Sequence, residues 1–185
     1  MNKLFLLFTL YLIFLNKIDA QENALKVGVS CVDVSPTIFP IQLRSGKSSY
    51  VHDPLHVRAV AFESGEGRAV ICLIDAIGIG REMSDIAKRK AAKKTGWKTE
   101  EMLICATHTH SAPKGGTGMP GREAYEKLKH DKLEEAIVLA IERLKPAKVG
   151  FSSEDEPSEV RNRRWFLEPG TMPPNPLGEK DQVKT

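Results

Sequence analysis

Apolar positions along the chain recur with the two periods that distinguish strands from helices. Alternation of apolar and polar residues predicts a first strand over Leu25–Val34. Two further apolar runs, Val57–Glu63 and Arg68–Asp75, are joined by the short turn sequence 64–67, which predicts an antiparallel hairpin. A fourth run, Met102–Ala106, has the length and composition of a buried strand.

Helical spacing of apolar residues appears in two segments. Arg81–Thr95 has an apolar side and is followed by Gly96, a residue typical of helix ends. Arg122–Leu144 has the longest apolar stripe and ends before Lys145-Pro146. A fifth strand is predicted over Ala147–Ser153. Strands that alternate with helices predict an α/β fold, with a mixed β-sheet and flanking helices.

Two segments have no periodicity. Thr37–Tyr50 is predicted to be a long loop, which either lines a functional site or runs over the surface. The tail, Glu154–Thr185, is polar and rich in proline. It contains Arg161-Asn-Arg-Arg-Trp165, whose arginines suit a carboxylate, a phosphate or a polar headgroup, although a charged surface loop has the same pattern.

The first 20 residues have the pattern of an export signal. Lys3 precedes a run, Leu4–Leu15, that is apolar except for Thr9. That run is too short to cross a bilayer comfortably, so we expect no stable transmembrane segment after cleavage. The sequence therefore predicts a signal peptide over residues 1–20 and a mature protein, residues 21–185, that is periplasmic or secreted. The alternative is that the segment is retained as a membrane anchor.

Composition narrows the classes of partner. With 185 residues, the chain is long enough for one domain with a core. Its net charge of +3 is dispersed and only 6% of its residues are aromatic, which argues against a nucleic-acid partner. Cys31, Cys72 and Cys105 all fall inside predicted strands, which favours small buried core residues over a disulfide framework or a thiolate metal site.

The candidate chemistry is concentrated in Thr107-His108-Thr109-His110-Ser111, directly after the fourth strand. Side chains at i and i+2 of an extended segment point to the same side, so both imidazoles are expected to reach one metal ion or one substrate. A Gly-rich loop is predicted over Lys114–Gly121. The alternative is that each histidine is a hydrogen-bonded structural residue.

The sequence is less specific about the roles of the other charged residues. Asp75 closes an apolar run, where side chains are delivered to a site at the sheet edge, but an N-cap or turn residue would have the same position. His130 lies mid-helix between charged neighbours and is expected to be exposed and non-catalytic. The basic cluster within 88–94 is expected to be a solvated helix face.

These segments, in this order, resemble the N-terminal part of the neutral/alkaline non-lysosomal ceramidase family. The Thr-His-Thr-His-Ser sequence, 107–111, is the specific part of the resemblance, which extends over nearly all of residues 25–185. The other matching features are Asp33-Val-Ser-Pro36, His52-Asp-Pro-Leu55 before Arg58-Ala59, a strand ending in Asp75, the long helix ending in Leu144-Lys-Pro-Ala-Lys-Val-Gly150, and Asn162-Arg-Arg-Trp165 with Asn175-Pro176 further on.

The resemblance implies a zinc-dependent hydrolase that cleaves the amide of an N-acylated sphingoid base, such as ceramide, or of a related lipid-like N-acyl substrate. It makes His108 a ligand of the Zn²⁺ ion, His110 a group that contacts the reacting amide, and Arg163 a substrate-site arginine. The family's other zinc ligands, a second histidine, a glutamate and a tyrosine, come well after the Asn-Arg segment. We therefore expect these 185 residues to be an incomplete N-terminal portion of a larger catalytic domain, inactive alone. The alternative is an exported, non-catalytic binding protein of the same fold.

Overall fold

A computed structural model describes residues 24–43, 46–114, 120–159, 165–166, 174, 178 and 183–184. Contacts between Cα atoms divide the chain into two compact units, with the boundary between Lys148 and Val149. The first unit contains the main sheet, both long helices and the histidine segment. The predicted signal peptide and Arg163 lie outside the described residues.

The strands of the first unit are β1 Lys26–Asp33, β2 Ile41–Gln42, β3 Lys47–Ser48, β4 His56–Ser64, β5 Gly67–Ile74, β6 Met102–Ala106 and β7 Lys145–Pro146. Five of them form a mixed sheet with the strand order β6-β5-β4-β1-β7. Neighbouring strands of this sheet are antiparallel except for β5 and β6, which are parallel. A separate two-stranded hairpin, β2 and β3, interrupts the segment that was predicted to be a loop.

Two helices pack beside the sheet and complete the α/β fold. Helix α1, Arg81–Thr95, connects the parallel strands β5 and β6, as a crossover of that kind requires. It ends at Gly96, which adopts the left-handed conformation and donates its N–H to the carbonyl of Ala92. Helix α2, Pro120–Glu142, packs against α1 and against β1 and β4. The predicted mixed sheet with flanking helices is confirmed.

The core lies between the helices and one face of the sheet. Alternate strand residues such as Val57, Val70 and Ile104 are buried there, against Leu133 and Ile137 of α2. The predicted apolar helix stripes are therefore confirmed. A polar contact joins the same layers, because the buried hydroxyl of Ser30 donates to the Ala136 carbonyl over 2.7 Å.

The basic cluster of α1 is more than a solvated face. Lys94 Nζ lies 2.7 Å from Glu134 Oε1, and Lys90 Nζ lies 3.5 Å from Glu134 Oε2. Glu134 belongs to α2 and is buried, so these ion pairs fasten the two helices together. Lys90 and Lys94 remain exposed, so the prediction of a solvated face is confirmed; their ion pairs with Glu134 add a contact between the helices that charge alone did not reveal.

The second face of the sheet is apolar and open to solvent in the described structure. Val29, Val60, Ile71 and Leu103 are cross-strand neighbours and form one continuous row over four strands. The exposed fractions are 57% for Val29, 47% for Ile71 and 55% for Leu103. Apolar side chains of four neighbouring strands thus lie side by side on this face.

Several predictions from the sequence were wrong in detail. Cys31 is exposed on the open face and Cys105 is half-buried, so only Cys72 is a core residue as predicted. Burial raises the pKa of the Cys72 thiol to about 12. His130 is half-buried rather than exposed.

The fifth strand was placed too late in the sequence. Pairing with β1 occurs at Lys145–Pro146 instead of Ala147–Ser153. A proline lacks the N–H that an interior strand needs, but it is tolerated at a sheet edge, which is where β7 lies.

The second unit contains little regular structure among its described residues. A 3₁₀ turn covers Pro157–Glu159, and strand β8, Trp165–Phe166, pairs with strand β9, Val183–Lys184. Residues 151–158 are exposed. In the described parts of both units, we find no helix of the length and apolarity needed to span a membrane.

Candidate functional site

The candidate site lies where β5 and β6 end side by side. These strands are parallel, and Ile74 pairs in register with Ala106, so the residues that follow each strand emerge at one edge of the sheet. Asp75 follows β5 and Thr107 follows β6. Strand β4 begins at the same edge with His56, because Val57 pairs with Ile74.

His108 is held in an unusual backbone conformation. Its φ angle is 62°, which makes it the one non-glycine residue with positive φ in the described part of the chain. Its Nδ1 lies 2.6 Å from the carbonyl oxygen of Ile77. A carbonyl oxygen only accepts hydrogen bonds, so Nδ1 carries a proton, and in the neutral ring Nε2 is then the nitrogen with a free lone pair. The arrangement fixes both the ring orientation and the tautomer.

His110 lies beside His108, but the geometry differs from the prediction. Strand β6 ends at Ala106, two residues before the first histidine, and the left-handed φ of His108 breaks the extended conformation on which the prediction rested. The two rings are nevertheless close, with centroids 5.1 Å apart and planes at 74°. Both side chains belong to exposed residues. The structure thus brings the predicted pair together through a turn rather than along a strand.

Asp75 links the end of β5 to β4 at this edge. Its Oδ2 accepts a hydrogen bond from the backbone N–H of His56 over 2.9 Å and another from Arg58 Nη1 over 2.9 Å. Burial alone would raise the pKa of the Asp75 carboxyl, but these hydrogen bonds and the Arg58 charge outweigh it and hold the pKa below its usual range.

One of the roles predicted for Asp75 was the N-cap of the helix that follows. Helix α1 begins at Arg81 with Gly80 at its N-cap, so Asp75 does not have that role. Its side chain is 15% exposed and forms an ion pair with Arg58 of β4.

A cavity of about 810 Å³ opens beside the histidine turn. Asp75, Thr109 and Ser111 line it at the ends of the strands. The segment between β1 and β4 supplies most of the remaining wall, which is mixed: Phe39, Ile41, Leu43, Tyr50, Val51 and Leu55 are apolar or aromatic, whereas Lys47, Ser48, Ser49, His52 and Asp53 are polar or charged. The predicted loop over Thr37–Tyr50 thus lines a cavity, which was one of its two interpretations.

The described residues supply only part of a metal site. Nε2 of His108 is suited to a metal ion, because its other ring nitrogen is bound to a backbone carbonyl. In residues 24–43, 46–114 and 120–159 and the few described positions after them, no group of three His, Cys, Asp or Glu side chains could hold an ion.

Two residues of this edge were missed by the sequence analysis. Arg58 pairs with Asp75, and its Nη2 also lies 3.2 Å from His56 Nδ1. The sequence could have indicated a role for Arg58, because this charged residue lies in a largely apolar strand. The backbone N–H of Thr107 donates to the Ile74 carbonyl over 3.0 Å, a contact with no such signal, since it depends on the parallel pairing of β5 with β6.

Solved structures share this fold, although no protein-family model and no curated protein sequence matches the chain. The crystal structure of neutral ceramidase from Pseudomonas aeruginosa matches 66% of the chain with a TM-score of 0.58 and 20% sequence identity. A ceramidase complexed with C2 also matches 66% of the chain, with a TM-score of 0.51 and 21% identity. The match spans 22% of the length of each ceramidase chain. The protein therefore has the fold of one part of a ceramidase.

Proposed function

We propose that this chain is the N-terminal part of a zinc-dependent amide hydrolase of the neutral ceramidase type. Its substrate would be an N-acylsphingosine or a related N-acyl lipid, which it would cleave to a fatty acid and an amine. The observation that carries the proposal is the hydrogen bond from His108 Nδ1 to the Ile77 carbonyl, since it leaves Nε2 for a metal ion at the edge of a ceramidase-like fold.

The proposed chemistry assigns different roles to the two histidines. Zinc, when bound through His108, would supply Lewis-acid polarisation of the amide carbonyl and activation of water. His110, with its ring centroid 5.1 Å from that of His108, would donate a hydrogen bond to the oxygen that becomes negative. Arg163, assigned from the resemblance, would add a positive charge to the substrate side.

The cavity beside the histidines supports an apolar substrate. Its volume of about 810 Å³ falls within the range of roughly 300–1,000 Å³ that is typical of small-molecule sites. Phe39, Ile41 and Leu55 line the cavity and would contact the hydrocarbon part of the substrate, while Thr109 and Ser111 would face the polar amide. A wall with both apolar and polar residues suits a molecule that has both kinds of group.

The remaining parts of the proposed site would come from further polypeptide. A catalytic zinc is normally held by about three protein ligands, and His108 supplies one. The other ligands that the resemblance implies, a second histidine, a glutamate and a tyrosine, would complete the set. The protein would be exported, and the 185 residues alone would not turn over substrate.

The test uses the complete gene product. We expect one zinc ion per molecule and release of fatty acid from a short-chain ceramide. His108→Ala should abolish both zinc binding and release, whereas His130→Ala, on α2, should retain them. A complete gene product that neither binds zinc nor releases fatty acid would overturn the proposal and favour a binding protein.

A further inference from the structure

We propose that β6 is an interaction surface for a second copy of this chain. The two β6 strands pair through their outer edges in antiparallel orientation, centred on Ile104, and join the two five-stranded sheets into one. Neither zinc nor hydrolysis enters this interaction, which goes beyond the proposed function and rests on the geometry of the strand.

The two edges of the sheet differ in their protection against a further strand. Edge strand β7 has only two residues, Lys145 and Pro146, and both are exposed. A charged side chain and a proline at an edge oppose further pairing. Edge strand β6 has five residues, Met102–Ala106, without a charge or a proline. Among the described residues, only β5 pairs with it. The outer edge of β6 is therefore open to a strand of another molecule.

The direction of the backbone groups of β6 follows from one hydrogen bond. Thr107 donates its N–H to the Ile74 carbonyl over 3.0 Å, so its backbone faces β5. Backbone groups alternate in direction along a strand that pairs on one side. The N–H and carbonyl groups of Leu103 and Cys105 therefore also face β5, and those of the alternate residues of β6 face outward.

The outward groups supply both donors and acceptors. Ile104 and Ala106 each present an N–H and a carbonyl to the open edge, where no bond to another described residue satisfies them. Met102 presents its carbonyl alone, because its N–H donates to the Thr99 carbonyl in the 3₁₀ turn before the strand. An antiparallel strand is the partner that can bind such a row of alternating groups.

The sequence of β6 is complementary to itself in the antiparallel register centred on Ile104. Each Ile104 then exchanges two backbone hydrogen bonds with Ile104 of the second copy. Ala106 of either copy donates its N–H to the Met102 carbonyl of the other. Leu103 lies opposite Cys105 of the second copy on the open face of the sheet, so a large side chain meets a small one.

Charge on either side of β6 favours the antiparallel orientation. Glu100 and Glu101 precede the strand, whereas His108 and His110 follow it. Antiparallel pairing places the acidic end of each strand beside the histidine end of the other, while parallel pairing would bring the carboxylates together. The antiparallel arrangement also has the two-fold symmetry that closes a dimer.

Stacking of two sheets through their open faces is the competing mode of association. Ile71 of β5 and Leu103 of β6 are cross-strand neighbours on that face, 47% and 55% exposed. Leu103→Lys places a charge on the edge strand, and Ile71→Lys places the same charge one strand further in. Edge pairing should respond to the first variant only, whereas face stacking should respond to both.

The first test is sedimentation equilibrium of the 185-residue chain and of the two lysine variants. We expect the wild type to form a dimer and Leu103→Lys to raise its dissociation constant about tenfold or more, because two Leu103–Cys105 contacts are lost by symmetry. Ile71→Lys should leave the dissociation constant unchanged. Hydrogen exchange at the Ile104 amide should slow as the protein concentration rises, while exchange at Cys105, whose N–H faces β5, should not.

A disulfide provides a second route that does not depend on weakening the dimer. In a Cys31→Ser background, Leu103→Cys introduces a thiol opposite Cys105 of the second copy. Residues of such a pair, which has no hydrogen bond of its own, lie about 4.5 Å apart at Cα, within the range that a disulfide spans. Mild oxidation should therefore link two copies of Leu103→Cys, and Ile71→Cys in the same background should stay unlinked.

Three results would overturn the proposal. The chain could be monomeric at every concentration, with rapid exchange at Ile104. The Ile104 amide could be protected in a monomer, which would mean that another segment of polypeptide pairs with β6. Association could respond equally to both lysine variants or to neither. None of these readouts involves zinc or fatty-acid release, so failure of the proposed function would be recognised separately.

Discussion

Gly28 of β1 lies directly against the carbonyl oxygen of Ala140 in α2, with no space between them for a side chain. A Cβ atom at this position would overlap that oxygen and would lie 2.8 Å from the Leu144 backbone nitrogen. All of these atoms belong to the backbone, so no side-chain rotation relieves the overlap. The closest contact between helix and sheet thus depends on glycine.

We predict that Gly28→Ala lowers the free energy of unfolding by about 1–3 kcal/mol, the usual effect of overpacking. Urea unfolding monitored by circular dichroism measures this quantity. Gly78→Ala is the control, because nothing lies within 4 Å of a Cβ at Gly78. Its effect should stay within about 0.5 kcal/mol. Equal stability of the two variants would mean that α2 does not pack on β1 as described.

A second prediction concerns the open face of the sheet. Ile71 is 47% exposed and its neighbour Val70 is 1% exposed, although both are β-branched residues of β5. Ile71→Thr should change stability by less than about 1 kcal/mol, whereas Val70→Thr should cost about 1–3 kcal/mol because it buries a hydroxyl. Binding of a fluorescent hydrophobic dye should fall in Ile71→Thr. A large loss of stability at Ile71 would show that this face is covered in solution.

The strands and helices were predictable because each has a clear period. The alternation in β1 and the apolar stripe of α2 are local properties, and their burial in the structure follows from them. The same alternation did not reveal which face would be covered. Both sides of β1 carry apolar residues, Val32 on the buried side and Val29 and Cys31 on the open side, and this is why Cys31 was wrongly assigned to the core.

The candidate site was only partly predictable for a related reason. The sequence indicated that His108 and His110 belong together, and that Asp75 closes a strand. Their contacts depend on the parallel register of β5 with β6, which brings residues about thirty positions apart to one edge. The left-handed conformation of His108 has no sequence signal, since histidine has no preference for it comparable with that of glycine.

A third prediction concerns acid stability. Asp33 closes β1, and its Oδ1 accepts the Ser35 N–H over 2.6 Å. Hydrogen bonds from the backbone and side chain of Ser35 lower the pKa of the Asp33 carboxyl below its usual value, despite some burial. A carboxyl whose pKa is lowered by folding stabilises the protein above its unfolded pKa of about 3.9, and the contribution is lost as the pH falls through the folded pKa.

We therefore expect Asp33→Asn to be less stable than the wild type at neutral pH, with a difference that shrinks as the pH falls below about 4. Urea unfolding at a series of pH values for both proteins measures this difference. A difference that is constant over the series would mean that the lost contact, rather than the carboxylate charge, accounts for the effect.

The last prediction separates the stability of the histidine turn from its chemistry. His108→Ala and His108→Gly both remove the ring and its hydrogen bond to Ile77, so they differ only in backbone preference. Because φ is 62° at this position, His108→Gly should be the more stable variant by about 1 kcal/mol. His110 is not among the described non-glycine residues with positive φ. The order of stability of the alanine and glycine variants should therefore be reversed at this position. There, alanine should be more stable than glycine by about 0.4–1 kcal/mol, because glycine has more freedom to lose on folding. Thermal and urea unfolding of the four variants measure both differences. A His108→Ala variant as stable as His108→Gly would show that the turn does not hold His108 in the left-handed conformation.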